Sequence, residues 1–279
     1  MKKSIFYLIL TFAVFSTFTV NAQNFTLGVR GGISIPNLTA GSNNQNPLNT
    51  GYSSRLGPDF GLFCELKFST HFSLQPMIEY SSQGGKKNGF QAFTTPDQLA
   101  QMFPAGQAPT YLYANYNSEA KMNYLMIPIL AKYGWDFKHS PIRFYVDAGP
   151  FFGLLLNARQ VTSGTSIIYL DAQGTQPLQI PQQQAANVPA QTRATAFASA
   201  ATDVQQSFDA TTDVKSSLHT FNMGIEANIG FSYKIGSGNI FIEGGGNYGL
   251  LNIQKYAKDG KNETGAAVAT IGYSYRFGK

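Results

Sequence analysis

One short segment with strict alternation between apolar and polar residues constrains the fold of this chain most. The apolar residues of that segment are Phe60, Leu62, Cys64, Leu66 and Phe68. All of its charged residues occupy the alternate positions, at Asp59, Glu65 and Lys67. Because successive side chains of a β-strand point to opposite faces, the pattern predicts a strand with one wholly apolar face.

The same separation of apolar and charged residues onto opposite strand faces recurs in eight segments. In each, the apolar face carries no Asp, Glu, Lys or Arg. The segments cover residues 24–35, 57–68, 72–83, 122–135, 142–157, 219–234, 240–254 and 265–278. A face in contact with lipid requires this purity, because Lys or Arg at mid-bilayer costs about 2 to 4 kcal/mol. The chain is therefore predicted to be all-β, an eight-stranded antiparallel up-and-down transmembrane β-barrel with long extracellular loops.

The connections between these segments alternate in length. The short ones are residues 69–71, 136–141 and 235–239, and the longer ones are residues 36–56, 84–121, 158–218 and 255–264. Short turns on the periplasmic side and long loops outside are typical of outer-membrane barrels. Within the loops, a proline at a helix start predicts a short helix over residues 96–103. A second helix is predicted from the helical spacing of Phe197, Ala201, Val204 and Phe208.

Aromatic residues cluster near the short connections. They are Phe25, Phe68, Phe72, Trp135, Phe137, Phe144, Phe231, Tyr233, Phe241, Tyr275 and Phe277. Aromatic rings favour the boundary between hydrocarbon and water, so the cluster predicts an interfacial girdle at this end of the barrel.

The first residues have the features of a secretory signal peptide. Lys2 and Lys3 precede an apolar stretch over residues 5–20, and the segment Val20-Asn21-Ala22 supplies short side chains ahead of a cleavage site. Cleavage after Ala22 gives a signal peptide of residues 1–22 and a barrel domain of residues 23–279. The alternative, a membrane anchor, calls for a longer uninterrupted apolar run.

Composition agrees with an envelope protein and argues against several other classes. Charged residues make up 13% of the chain, about half of the usual share. Without Lys2 and Lys3 the formal net charge falls from +5 to +3, which is too small to indicate nucleic acid binding. Cys64 is the only cysteine and the three histidines are scattered. No disulfide, metal site or cofactor is expected.

Twelve charged residues occupy inward positions of the predicted strands. They are Arg30, Asp59, Glu65, Lys67, Glu79, Lys132, Arg143, Asp147, Glu226, Lys234, Glu243 and Arg276. The interior of an eight-stranded barrel is only just wide enough for side chains. Since buried charges persist when they are paired, these six acids and six bases predict a salt-bridged, closed lumen. The alternative is a pathway for protons or ions.

Two motifs that suggest other functions are discounted. Residues 244–249 match the dinucleotide-binding pattern G-x-G-x-x-G, but a strand continues through them where that pattern needs a helix. His219 lies near Ser216, Ser217 and Asp213 at the predicted outer rim, where a lipid-modifying barrel enzyme would place its base. A polar rim residue is the simpler interpretation of His219, and no catalytic residue is assigned.

Three motifs resemble a known family. Residues 123–128, residues 145–153 and residues 248–253, with the sequences NYLMIP, YVDAGPFFG and YGLLNI, resemble the PorT-like outer-membrane β-barrel proteins of Bacteroidetes. The resemblance implies a barrel in the cell outer membrane, surrounded by outer-membrane lipid. The family name derives from a component linked to type IX protein secretion.

Three functional hypotheses follow from the sequence. The first is a non-enzymatic barrel that contacts an envelope protein partner through its extracellular loops or periplasmic rim, as an accessory component of an envelope or type IX secretion-related complex. The alternatives are a lipid-modifying enzyme and a narrow conduit for ions or small apolar molecules.

Overall fold

The alternating segments form long antiparallel strands. The computed structural model describes residues 25–40, 46–181 and 201–277, so the predicted signal peptide, residues 1–22, lies outside the described residues. The eight long strands are β1 (Phe25–Ala40), β2 (Gly57–Lys67), β3 (Phe72–Thr94), β4 (Tyr111–Asp136), β5 (Ile142–Ser163), β11 (Phe221–Ile235), β12 (Gly238–Gly249) and β13 (Asn262–Phe277). The short strands between β5 and β11 are β6 (Thr165–Ile167), β7 (Gln179–Pro181), β8 (Ala201–Asp203), β9 (Gln205–Ser207) and β10 (Ala210–Asp213).

The eight long strands close into a ring. Each pairs with the next along the chain, β5 pairs with β11, and β1 pairs with both β2 and β13. Phe25 at the start of β1 lies opposite Leu66 on one side and Phe277 on the other. The predicted eight-stranded antiparallel barrel is confirmed.

The wall of the barrel separates apolar from polar side chains as the alternation requires. Leu62, Ile242 and Ile271 point outward and are 63%, 58% and 60% exposed. Their strand neighbours Phe63 and Glu243 point inward and are buried. The largest apolar side chains thus cover the outside, the reverse of a water-soluble protein, because lipid surrounds the wall.

Three strands extend past the predicted membrane segments. β3 and β4 remain paired up to Thr94 and Tyr111, so most of the predicted loop 84–121 is a hairpin. The same strands continue the sheet through β5, which also pairs with β10. Sequence reasoning missed this extension because, beyond the membrane, neither face of a strand has to be free of charge. Lys86 and Lys87 are examples.

The loop helices agree with expectation in one place and differ in another. Helix α1 (Asp97–Ala100) lies within the predicted helix 96–103. The second predicted helix is wrong: Ala201 begins β8, Val204 lies between β8 and β9, and Phe208 follows β9, while Phe197 lies outside the described residues. Val204 and Phe208 are four residues apart, an even spacing that fits one face of extended chain as well as a helix.

Two short 3₁₀ turns, Lys215–Ser217 and Ala257–Asp259, lie in the connections that follow β10 and β12. Among the described residues, no helix has the length and apolar character needed to cross a membrane.

Phe241 is an exception within the predicted aromatic girdle. Phe72, Trp135 and Tyr275 are between 41% and 44% exposed near the short turns, as expected for outward rings. Phe241 is 6% exposed and lies inside, because it shares the inward face of β12 with Glu243. Its ring lies against Gly272 on β13, which leaves room for it.

Candidate functional site in the barrel lumen

The centre of the lumen is occupied by one arginine and three glutamates. Arg30, on β1, donates through Nη1 to Glu243 Oε1 at 2.6 Å. Its Nη2 donates to Glu79 Oε2 at 2.6 Å and to Glu226 Oε1 at 3.0 Å. We call these four residues the arginine hub. Since the glutamates come from β3, β11 and β12, the hub joins opposite walls of the barrel.

The hub is sealed from solvent. The side chains of its four members are at most 3% exposed. Hydrogen bonds between charged partners are short and strong, and removing one partner of such a buried group leaves uncompensated charge. Arg30 is thus held in place by all three carboxylates, and the carboxylates depend on its charge.

Neutral and acidic side chains surround the hub. Tyr145 Oη donates to Glu243 Oε2 at 3.1 Å. Asn228 Nδ2 donates to Glu226 Oε1 at 3.0 Å and to Asp147 Oδ1 at 2.9 Å. On the other side, Ser81 Oγ donates to Asp59 Oδ2 at 2.8 Å. The centre of the lumen therefore contains more carboxyl groups than cations.

An apolar layer closes the lumen above the hub, toward the long loops. It is built from buried inward residues of β1, β4 and β5 and from the loop residues Leu218 and Ile253, which pack against them. Its members are Leu38, Met122, Tyr124, Met126, Phe151, Leu155, Ala158, Leu218 and Ile253. Sequence reasoning missed this layer, although the alternation of Met122, Tyr124 and Met126 was a usable signal.

A smaller apolar layer lies below the hub, toward the short turns. It consists of Phe63, Met77, Leu130 and Phe241, all at most 6% exposed. Lys132 lies at its edge, where Nζ donates to Gln75 Oε1 at 2.7 Å and stands 4.0 Å from the centre of the Tyr145 ring. The ammonium group of Lys132 is therefore stabilised by a hydrogen bond to an amide and by a cation–π contact.

Five of the predicted lumen bases do not reach the hub. They line a cavity of about 640 Å³ at the short-turn end, which we call the mouth: Lys67, Lys132, Arg143, Lys234 and Arg276. The predicted balance of six acids and six bases is thus distributed unevenly along the axis: the carboxyls concentrate at the centre and the bases at the mouth. The alternation of side chains along a strand predicts which residues point into the barrel. It does not give the depth at which an inward side chain contacts the side chains of other strands.

Arg55 is a buried ion-pair member that sequence reasoning missed. It lies in the connection before β2, outside any predicted strand, and its Nε donates to Glu119 Oε1 at 2.8 Å. Its Nη1 donates to Ser82 Oγ at 2.8 Å. Burial acts to raise the pKa of Glu119, but hydrogen bonds from Arg55 and Lys121 outweigh it, so the pKa lies below its ordinary value. No motif in the sequence marks this pair.

His219 does not stand in a catalytic arrangement. It is exposed, and its backbone N–H donates to the Ile253 carbonyl. Within residues 25–40, 46–181 and 201–277, no hydrogen bond joins its ring to a serine or a carboxylate. In the same ranges, no group of three or more His, Cys, Asp or Glu could hold a metal ion.

A closed antiparallel ring with a lipid-compatible wall and a filled polar interior defines an integral outer-membrane barrel. The chain belongs to the outer membrane protein β-barrel domain family, whose model matches residues 21–255. The protein is therefore located in the outer membrane.

Solved structures of other barrels are similar to the chain at low identity. Neisserial surface protein A is 11% identical, with 91% of this chain and 97% of that chain covered and a TM-score of 0.37. Ail of Yersinia pestis is 8% identical, with coverages of 90% and 99% and a TM-score of 0.34. The N-terminal barrel domain of Pseudomonas aeruginosa OprF is 9% identical, with coverages of 91% and 97% and a TM-score of 0.33. No curated protein matches the chain significantly.

Proposed function

We propose that this protein is a non-enzymatic outer-membrane barrel with a closed lumen, which acts through contacts of its outer loops or its periplasmic rim. The observation that carries the proposal is the arginine hub, in which a single buried guanidinium bridges three strands across the lumen. The apolar layer around Tyr124 and Phe151 lies above the hub and forms a second obstruction of the lumen. Two successive obstructions leave the ends of the barrel as its working surfaces.

The outer end offers a folded surface. Leu99, Leu112, Ile168, Leu178 and Val204 form a buried apolar cluster drawn from α1, β4 and the long connection after β5. A loop region with its own core presents a defined surface at low entropic cost, which favours a protein partner. With the PorT-like motifs at residues 123–128 and 145–153, this supports an accessory role in an envelope complex related to type IX secretion.

Planar-bilayer recording tests the closed lumen. The purified protein is expected to show no stable conductance, and insertion is verified by heat-modifiable migration of protein recovered from the same preparation. Reproducible, long-lived single-channel steps would contradict the closed lumen and favour a conduit.

Site-specific photocrosslinking in native cells tests the partner. A crosslinking residue at exposed Gln107 on the outer side, or at Ser69 in a short turn, is expected to give discrete protein adducts. The matched control is Ile242, which is 58% exposed on the barrel wall and faces lipid. Adducts that form equally at Ile242, or at none of the three sites, would contradict action through the ends.

A further inference from the structure

The mouth at the short-turn end is a concave, basic cavity, and an obstructed lumen does not require such a cavity at its end. Its walls come from β2, β4, β5, β11, β12 and β13, and its floor is made by Phe63, Tyr145 and Phe241. At about 640 Å³ it falls within the range of small-molecule sites. Short turns face the periplasm in barrels of this class, so the cavity opens toward periplasmic solutes and the inner leaflet.

The charges that line the mouth are predominantly positive. Five bases, Lys67, Lys132, Arg143, Lys234 and Arg276, face two acids, Glu65 and Asp136. The formal net charge of the lining is therefore +3. Like charges in a partly enclosed space repel one another more strongly than at an open surface. Such an excess of cations is unfavourable for the empty barrel and favourable for an anionic ligand.

Both acids are already engaged. Arg143 Nη1 donates to both carboxylate oxygens of Asp136, at 3.1 Å and 3.0 Å. Lys67 Nζ stands 4.0 Å from Glu65 Oε1, which also accepts a hydrogen bond from Ser73 Oγ. Of the three remaining cations, Lys132 donates a hydrogen bond to Gln75, and Lys234 and Arg276 lie on the opposite side of the mouth.

Lys234 and Arg276 form that opposite side. Within the described ranges, neither side chain makes an ion pair or a hydrogen bond. Lys234 lies opposite Asn239 on β12, and Asn239 lies opposite Ser274 on β13, two residues before Arg276. Two strand spacings and two residues of rise place the backbones of Lys234 and Arg276 about 12 Å apart. Flexible side chains at that separation can converge on one ligand in the cavity between them.

We propose that the mouth binds a phosphate-bearing ligand of metabolite size through Lys234 and Arg276. A phosphate group suits the net charge of the lining because it carries up to two negative charges, and the planar fork of an arginine matches its oxygens. The source is either a soluble phosphate ester or the headgroup of a phosphorylated lipid that reaches over the rim. The barrel wall encloses the cavity, which excludes a nucleic acid duplex. The proposal does not require the lumen to be closed.

Binding is measured on the folded barrel in zwitterionic micelles at low salt, by calorimetric titration. Inorganic pyrophosphate represents soluble phosphates, and short-chain phosphatidic acid represents a lipid headgroup. Lys234→Gln is expected to weaken binding about tenfold, because one cation near a multiply charged anion is lost. Arg276→Lys keeps the charge, removes the fork and should weaken binding less. Higher salt should weaken binding of either probe.

The matched control is Lys138→Gln. Lys138 is an exposed base in a short turn at the same end, and it does not line the cavity. This variant has the same net charge as Lys234→Gln and should bind like wild type. Heat-modifiable migration confirms that each variant is folded.

The outcomes separate the sources and the alternatives. Binding of pyrophosphate at the mouth identifies a soluble phosphate, and binding of phosphatidic acid alone identifies a headgroup. An equal loss of probe binding in Lys138→Gln and Lys234→Gln would overturn the proposal and indicate a general attraction of anions to a basic rim. Absence of binding by both probes, or tighter binding of an Asp- and Glu-rich peptide than of either, would also overturn it.

Discussion

Gly28 on β1 lies directly opposite Phe63 on β2, and the Phe63 ring fills the space that a side chain at residue 28 would occupy. A Cβ at Gly28 would stand closer than van der Waals contact to three ring atoms of Phe63. The same relationship joins Gly230 to Tyr145 and Gly272 to Phe241. Three inward rings, Phe63 and Phe241 of the apolar layer below the hub and Tyr145 beside it, thus each pack against a glycine of the neighbouring strand.

Gly28→Ala should therefore impair folding of the barrel, because overpacking of a filled interior costs about 1 to 3 kcal/mol. Gly31→Ala is the matched control on the same strand, since the nearest atom to a Cβ there is 4.0 Å away. Urea-dependent folding into vesicles, followed by heat-modifiable migration, compares the two. Adding Phe63→Leu should rescue Gly28→Ala, and failure of that rescue would show that the ring is not the cause.

Leu62→Arg should impair insertion, because Leu62 faces lipid and a cation near mid-bilayer costs about 2 to 4 kcal/mol. Leu56→Arg makes the same change at an exposed residue just before β2 begins, and should be tolerated. The yield of folded protein after refolding into vesicles is the measurement. Equal yields for the two variants would contradict the assignment of the outer face.

Arg30→Met should destabilise the barrel by about 3 to 5 kcal/mol, the usual consequence of leaving buried charges without a partner. Combining it with Glu79→Gln, Glu226→Gln and Glu243→Gln should recover part of the loss, because the stranded carboxylates are then neutral. Urea titration of folding gives the free energy of unfolding of the single variant and of the combined variant. Additive losses from all four changes would argue against a hub centred on Arg30.

Acid should release the segment that Arg55 anchors. The pKa of Glu119 is lower in the folded protein than in the unfolded chain, so the pair stabilises the fold above the unfolded pKa of about 4.3. That contribution is lost as pH falls through the folded value. A spin label at Ser54→Cys, in a Cys64→Ser background, should become more mobile below about pH 4. Glu119→Gln should show that mobility already at neutral pH, and a label at Ser237→Cys should respond to neither change.

Orientation is tested with the same Cys64→Ser background. A cysteine at exposed Gln107, beyond the β3–β4 extension, should react with an impermeant maleimide on intact cells. A cysteine at Ser69, in a short turn, should react only after the outer membrane is permeabilised. The opposite labelling pattern would show that the assigned orientation is reversed and that the mouth faces the outside of the cell.

The sequence predicts the wall of this barrel better than its interior. Leu62 and Phe63 could be assigned to opposite faces because hydrocarbon tolerates no charge along the outer wall. No comparable constraint acts on the β3–β4 extension, where charged residues such as Lys86 and Lys87 are tolerated and buried residues such as Leu112 pack against loop residues. Its strands were therefore predicted as a loop.

Inside the barrel, parity places Arg30 and Lys234 on the same face but gives no depth. The stagger between strands decides which inward residues share a cross-section, and it brings Arg30 to Glu243, which is 213 residues away. Arg55 approaches from a loop with no pattern at all. The hub and the mouth therefore became separate sites only in three dimensions.

The long separation between Arg30 and its partners bears on the order in which the barrel is assembled. Glu79 belongs to the third strand of the ring, but Glu226 and Glu243 belong to the sixth and seventh, so two of the three partners of Arg30 arrive only when most of the sheet has formed. The hub can be completed only when the last strand, β13, joins β1 and water leaves the interior. The arginine hub therefore favours correct closure: a sheet with strands in the wrong register would leave three carboxylates without their common partner.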